Sequence, residues 1–204
     1  MLRNIIFDMG GVLIRWDPPF FMSRMGICAE DQELIMDTVF RSHDWYLADL
    51  GELEEADVEE RVFPRLPQRL HEAVHYLIFH WNELTEPIPG MAQLARDLKA
   101  AGLGIYLLSN ASRRQPEYWK NIPGSEVFDG TVVSGFLKCL KPSAAIYQHL
   151  LDTYHLKAEE CLFIDDSPAN AEGAKKVGID GFAFKGDAEE LRRYIKKQLP
   201  SLNI

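Results

Sequence analysis

A chain of 204 residues with 47% hydrophobic and 26% charged residues has the makeup of one ordinary globular unit, or of one unit carrying a sizeable insertion. That composition excludes disordered, collagen-like and disulfide-scaffold classes. With 31 acidic against 22 basic residues the net charge is -9, which leaves no positive field to hold a phosphate backbone, so no nucleic-acid partner is expected.

Other classes fall away on patterning. No apolar run reaches the roughly 20 residues that a membrane helix needs, and the longest, AVHYLIFHW, is broken by His75 and His80. No membrane partner is expected. Cys28, Cys139 and Cys161 lie far apart without metal-ligand spacing and read as buried thiols in a reducing cytosol. The opening residues MLRNIIFD lack the apolar stretch of a signal peptide, so a soluble, cytoplasmic protein is expected.

In chain order, Leu2 to Phe7 is a β-branched and aromatic run that stops at Asp8 and the Gly10-Gly11 pair, as a buried strand feeding a turn. From residue 16 to 86 strand signals vanish, and helical patterns follow one another at Asp31 to Phe40, Glu54 to Phe63 and Gln68 to Trp81. The acidic run Glu52 to Glu60 reads as the solvated face of one of these helices. Pro87, Ile88, Pro89 and Gly90 mark a re-entry hinge. Met91, Leu94, Ala95 and Leu98 then keep helical spacing up to Gly102, and Leu103 to Leu108 is the second strand.

Thr131 to Val133 is a weaker strand. Pro142 suits a first helical turn, with Ile146, Leu150 and Leu151 as the apolar face that follows. Cys161 to Ile164 is a strand ending at Asp165-Asp166, and Gly181 to Phe184 another. Asp187 with Glu190 resembles a capping box opening the last helix, which turns Leu191, Tyr194, Ile195 and Leu199 inward. Alternating strands and helices predict an α/β, doubly wound, Rossmann-like parallel sheet. Its core domain would comprise residues 1–15 and 87–204, with residues 16–86 inserted as an all-helical cap.

Ligands of such sheets bind at the carboxyl ends of the strands. The residues at those ends are Asp8, Ser109-Asn110, Lys141 and Asp165-Asp166. Carboxylates from two strands suit Mg²⁺, a hard cation that keeps positions open for water and phosphate oxygens. An ammonium and a hydroxyl complete a phosphate site, and an aspartate reaching both metal and phosphorus is a nucleophile.

The segments IIFDMGGVL, LLSNAS, LKPSAAIY and FIDDSPANAEGAKKVG, in that order, resemble the haloacid dehalogenase superfamily along the whole chain outside the helical insertion. The forms FDxGGV, LSN and KPxxxIY are most similar to a branch that includes sugar-phosphate phosphatases acting on substrates such as glucose 1-phosphate. The resemblance implies a Mg-dependent phosphatase acting on a small phosphorylated metabolite. Asp8 would be the nucleophile. Ser109 and Asn110 would bind the phosphoryl group, and Lys141 would neutralise it while steadying Asp8. Asp8, Asp166 and the carbonyl of Gly10 would hold the metal, with Asp165 and Asn170 behind them.

Gly10 departs from the usual pattern, because phosphatases of this superfamily commonly carry an acid/base aspartate there. Without it, esters with good leaving groups, such as sugar 1-phosphates, are the expected substrates. Asp17 is a candidate substitute acid. In the insertion, His43, Trp45, Tyr46, Asp49 and Trp81 are candidates to shape a sugar pocket, with His43 and Trp45 foremost, and Arg113 is a further candidate contact. His71, His75 and His80 read as surface or packing residues. Two other functions are compatible with Gly10: a haloacid dehalogenase, which the adjacent Asp165 and Asp166 disfavour, and a non-catalytic phosphate- or metal-binding regulatory protein.

Overall fold

The computed structural model describes residues 1–200 of the chain. Five strands, β1 (Asn4–Phe7), β2 (Gly104–Ser109), β3 (Gly130–Val133), β4 (Cys161–Asp165) and β5 (Asp180–Ala183), form one parallel sheet in the order β3-β2-β1-β4-β5. β1 is central. Phe7 pairs with Leu107 on one side and Ile164 on the other, so the residue after β1 leaves the sheet between the ends of β2 and β4. The register places Asp8 level with Asp165 on one side and with Leu108, the residue before Ser109, on the other.

The central strands β1 and β4 bury both faces, as their near-continuous apolar runs require. Ile5 and Phe7 join the larger apolar cluster, whereas Ile6, Leu108 and Phe163 face the opposite way. That second face is covered by α8 (Ala144–Tyr154) and α9 (Pro168–Lys175) through Ile146, Tyr147 and Ala174. α6 (Met91–Ala100) and α10 (Ala188–Gln198) cover the first face with Met91, Leu94, Leu98, Leu191 and Ile195. Full burial of such side chains stabilises the fold by about 1.5–3 kcal/mol each.

Between β1 and α6 the chain forms only helices: α1 (Pro18–Arg24), α2 (Ala29–Ile35) continued by a π-helical turn (Met36–Phe40), α3 (His43–Asp49), α4 (Glu55–Val62) and α5 (His71–Leu84). The chain leaves and returns side by side. The N–H of Arg15 donates to the carbonyl of Glu86 at 2.8 Å, and that of Ile88 to the carbonyl of Leu13 at 2.9 Å. Phe21, Val39, Val58, Leu77 and Ile78 of this helical insertion share one apolar cluster with Ile5 and Phe7. No helix among the described residues is long and apolar enough to cross a membrane.

Three sequence expectations need correction. Pro142 lies outside α8; Ser143, in an extended conformation, is the N-cap instead. The acidic run is not a solvated face throughout. Glu55 is buried against Ser112, and Glu52 and Glu54 pair with Lys138 and Arg113, because this part of the insertion packs onto the sheet domain. The cysteines are not all buried: Cys28, just ahead of α2, is exposed. By contrast Asp187 caps α10 as its spacing predicts, accepting from the N–H groups of Glu189 and Glu190.

Candidate active site

Asp8, Ser109, Asn110 and Asp166 line a cavity of about 320 Å³ between the strand ends and the helical insertion. Asp8 is pinned through one oxygen. Its Oδ1 accepts the N–H of Met9 at 2.7 Å and faces the Nζ of Lys141 at 2.8 Å, which leaves Oδ2 as the oxygen without these partners.

Lys141 is the hub. Its Nζ also contacts Asp165 Oδ2 at 2.7 Å and donates to the carbonyl of Leu108 at 3.0 Å, so all three ammonium hydrogens are used. Burial opposes the Lys141 charge, but Asp8 and Asp165 outweigh it and hold the ammonium above its ordinary value. The Lys141 backbone is clamped by Asn110, whose Oδ1 accepts its N–H at 2.8 Å while Nδ2 donates to its carbonyl at 3.1 Å.

Asp165, fully buried, is a supporting group. Besides Lys141 it accepts from the N–H of Ser167 at 2.8 Å and from Asn170 Nδ2 at 3.0 and 3.1 Å. Asp166 points the other way, into the cavity. Oxygens of Asp8, Asp165 and Asp166 lie within 4.8 Å of one another, and the Lys141 ammonium pairs with the first two and not with Asp166. Burial pushes Asp8 up to about 7, with Lys141 pulling it down and Asp165 pushing it up; burial and then Asp165 raise Asp166.

Gly11 makes this crowding possible. Its φ of +73° is left-handed, and a side chain there would run into the Asp166 carboxylate. Gly10 lies on the cavity wall, and a Cβ added to it would come 3.1 Å from that of Trp16. The corner beside Asp8 is filled by an indole.

The remaining wall is aromatic. Trp16 meets Trp81 edge-on at 4.7 Å and lies 5.9 Å from Trp45, while Phe40 and Tyr118 extend the same surface. Ala48, Val58 and Ile78 are its aliphatic part. Two carboxyl groups interrupt it, Asp49 and Glu55, and the hydroxyl of Ser112 donates to Glu55.

A scan against family models matches residues 2–178 to the haloacid dehalogenase-like hydrolases. The chain belongs to that family. Two curated relatives of similar length are phosphatases by name. A sesquiterpene phosphatase, astK, of Aspergillus oryzae is 27% identical over 191 residues, covering 88% of each chain. A phosphorylated carbohydrates phosphatase of Thermotoga maritima is 24% identical, covering 88% of this chain and 83% of its own. A HAD-like hydrolase of Porphyromonas gingivalis has the same fold, with a TM-score of 0.75 at 23% identity and 98% of both chains covered. So does a HAD family enzyme of Bacteroides thetaiotaomicron, crystallised with magnesium and inorganic phosphate (TM-score 0.68, 22% identity, 94% and 99% covered). The protein is therefore a hydrolase of the haloacid dehalogenase-like family with a Rossmann-like core.

The structure brings Asp8, Gly10, Ser109, Asn110, Trp45 and Asp166 onto one cavity, with Lys141, Asp165 and Asn170 directly behind. Three candidates are engaged elsewhere. Asp17 caps α1 by accepting the N–H of Phe20 at 3.1 Å, and Arg15 holds its other oxygen at 2.6 Å, so both of its oxygens are engaged away from the cavity lining. His43 is exposed and stacks on Tyr46. Arg113 fastens the insertion, donating to Glu54 at 2.8 Å and to the carbonyl of Gly135 at 3.0 Å. His71 bonds the carbonyls of Phe63 and Leu66, and His75 and His80 contact Glu59 and Glu83.

Proposed function

We propose that the protein is a magnesium-dependent phosphomonoesterase that cleaves the monophosphate of a small, mainly apolar alcohol through an aspartyl-phosphate on Asp8. The observation that carries this reading is that Asp8, held through Oδ1, lines a cavity that is charged at the strand ends and aromatic opposite. Asp8 and Asp166, with the Gly10 carbonyl, would hold Mg²⁺, since Asp165 is already occupied by Lys141, Asn170 and Ser167. The ion supplies positive charge that offsets the phosphate oxygens as the nucleophile approaches.

Lys141 neutralises the phosphoryl group and orients Asp8. Ser109 and the backbone at Asn110 bind its remaining oxygens, and the helical insertion, residues 16–86, acts as the cap that receives the alcohol.

The cavity favours a different alcohol from the sugar anticipated from the sequence. A hexose needs several hydrogen-bond partners on burial, and each one missing costs about 1–3 kcal/mol. Beyond the strand ends the wall has two carboxyl groups, Asp49 and Glu55, the second already bonded to Ser112, and its other polar atoms belong to aromatic side chains. Five aromatic and three aliphatic side chains suit an apolar group instead. The sesquiterpene phosphatase relative acts on an alcohol of that character by its name. A sugar phosphate is the second reading, favoured by those same two carboxyl groups as hydroxyl acceptors and by the carbohydrate phosphatase relative. Three unpaired cysteines suit a reducing compartment and a cytoplasmic site of action, and the net charge of -9 disfavours nucleic acid.

The test is phosphate release from alkyl and aromatic-alcohol monophosphates, sugar 1-phosphates and sugar 6-phosphates, with Mg²⁺ or with a chelator. Magnesium-dependent turnover that ranks the apolar esters first supports the reading. Faster sugar 1-phosphates would transfer it to the second, and turnover indifferent to chelation would overturn the metal assignment. Gly11→Ala provides an independent check on the metal site. Displacing Asp166 should weaken Mg²⁺ binding by ~10–100-fold in titration calorimetry. Binding of unchanged strength would exclude Asp166 as a ligand.

A further inference from the structure

The missing acid at Gly10 leaves the departing alcohol without a proton, and the space beside Gly10 is closed by Trp16. One carboxyl group on the cavity wall is placed to replace it. Asp49, the last residue of α3, shares the cavity with Asp8, Ser109 and Asp166, and it comes from the insertion side, facing the strand ends.

Its backbone is tied to the phosphate-binding loop. The buried hydroxyl of Ser134 lies 2.6 Å from the Asp49 carbonyl, as its donor, and accepts the N–H of Ala111 at 3.0 Å, two residues beyond Ser109. Gly51, at a φ of +76°, lies so close to the Gly135 carbonyl that a side chain would not fit between them. The end of α3 is thus registered against the same loop that would hold the phosphoryl group.

The Asp49 carboxyl has no hydrogen-bond or ion-pair partner among the described residues. The other carboxyl groups nearby are committed: Glu55 to Ser112, Asp17 to Arg15, Asp165 to Lys141, and Asp166 to the proposed metal. Burial, assisted by Glu55 and Asp8 and opposed by Lys141, pushes Asp49 up to about 8.

We infer that Asp49 is the general acid and base of the reaction, supplied by the helical insertion in place of the residue that Gly10 lacks. This rests on the phosphatase reading above. In the first step Asp8 Oδ2 attacks phosphorus, the bond from phosphorus to the alcohol oxygen breaks, and the Asp49 proton moves to that oxygen. Free alcohol and an Asp49 carboxylate result. In the second step the carboxylate takes a proton from water as the water oxygen attacks phosphorus. The bond to Asp8 breaks, phosphate leaves, and Asp49 is protonated again.

The experiment compares benzyl phosphate with p-nitrophenyl phosphate, two aromatic esters of similar size whose leaving groups differ in basicity. A general acid matters for the benzyl alkoxide and little for nitrophenolate, so in Asp49→Asn the ratio of kcat/KM, benzyl over p-nitrophenyl, should fall about 100-fold from wild type. A circular-dichroism melt establishes that the variant is folded, and Asp49→Glu, which keeps the acid, should recover part of the ratio. An unchanged ratio would overturn the role of Asp49, whatever happens to the absolute rates. Wild-type protein that hydrolysed neither ester with Mg²⁺ would instead defeat the phosphatase reading on which the inference stands.

Discussion

Asp8→Asn is expected to reduce phosphate release by at least about 10⁴-fold on every ester that the wild type accepts. The substitution is nearly isosteric. An amide oxygen still accepts from Met9 N–H and faces Lys141, as Oδ1 does now at 2.7 and 2.8 Å, so the residue should keep its place. It loses the lone pair that attacks phosphorus and the charge that helps hold the metal. The fold should not suffer. In the metal-free protein burial raises Asp8 from 3.8 to about 7. A carboxyl raised in the folded state contributes stability that is fully present below 3.8 and is lost as pH rises through about 7. The amide of the variant does not titrate, so at pH 8 the metal-free variant should melt above the wild type by ~1–3 kcal/mol equivalent, and the advantage should vanish by pH 4. Equal turnover by variant and wild type would remove the covalent mechanism. A variant that melted far below the wild type at pH 8 would show that the Asp8 charge is needed to hold Lys141.

The sheet and the charged end of the site were legible because both depend on short-range signals. β1, β2 and β4 are each a largely apolar run of four to six residues that stops at a polar residue, and parallel pairing sends those stopping residues to one edge. Asp8, Ser109 and Asp165-Asp166 are found there by counting alone. The insertion was less legible. Its helices follow from spacing, but which faces meet the sheet domain is a tertiary matter. Glu55 sits in a run of acids that looks solvated, and only docking against Ser112 buries it. Asp49 carries no local signal of a proton donor, since its environment is assembled from Glu55, Asp8 and Lys141, residues brought together only by the fold. Asp17 misled in the opposite sense: its distance from Asp8 suggests a substitute acid, whereas Arg15 and the first turn of α1 consume both of its oxygens. The Trp16 ring that closes the corner at Gly10 is likewise invisible to spacing.

Lys141→Met tests the centre of the site, and two losses are expected from it. The Lys141 side chain is almost completely buried and its ammonium contacts Asp8, Asp165 and the Leu108 carbonyl at 2.7–3.0 Å. Methionine replaces the stem and none of these contacts. Two carboxylates are left facing each other in a dry site, and breaking a buried pair in this way typically costs about 3–5 kcal/mol. For a chain of this size that corresponds to a fall in melting temperature of roughly 6–20 °C. The sign of the pH dependence follows from the groups left behind. Without the ammonium Asp8 rises further above 3.8, so its folded-state penalty grows as pH increases and fades as the carboxyl protonates. The deficit should therefore be largest above about pH 7 and small near pH 4. Mg²⁺ should restore part of the melting temperature at pH 8 by returning positive charge to Asp8, yet it should not restore turnover, because no cation would then steady the attacking carboxylate from behind. Chemical denaturation of the metal-free and Mg²⁺-loaded variant at two pH values separates these effects. A pH-independent loss would assign Lys141 a packing role and leave the charge balance of the site to another group.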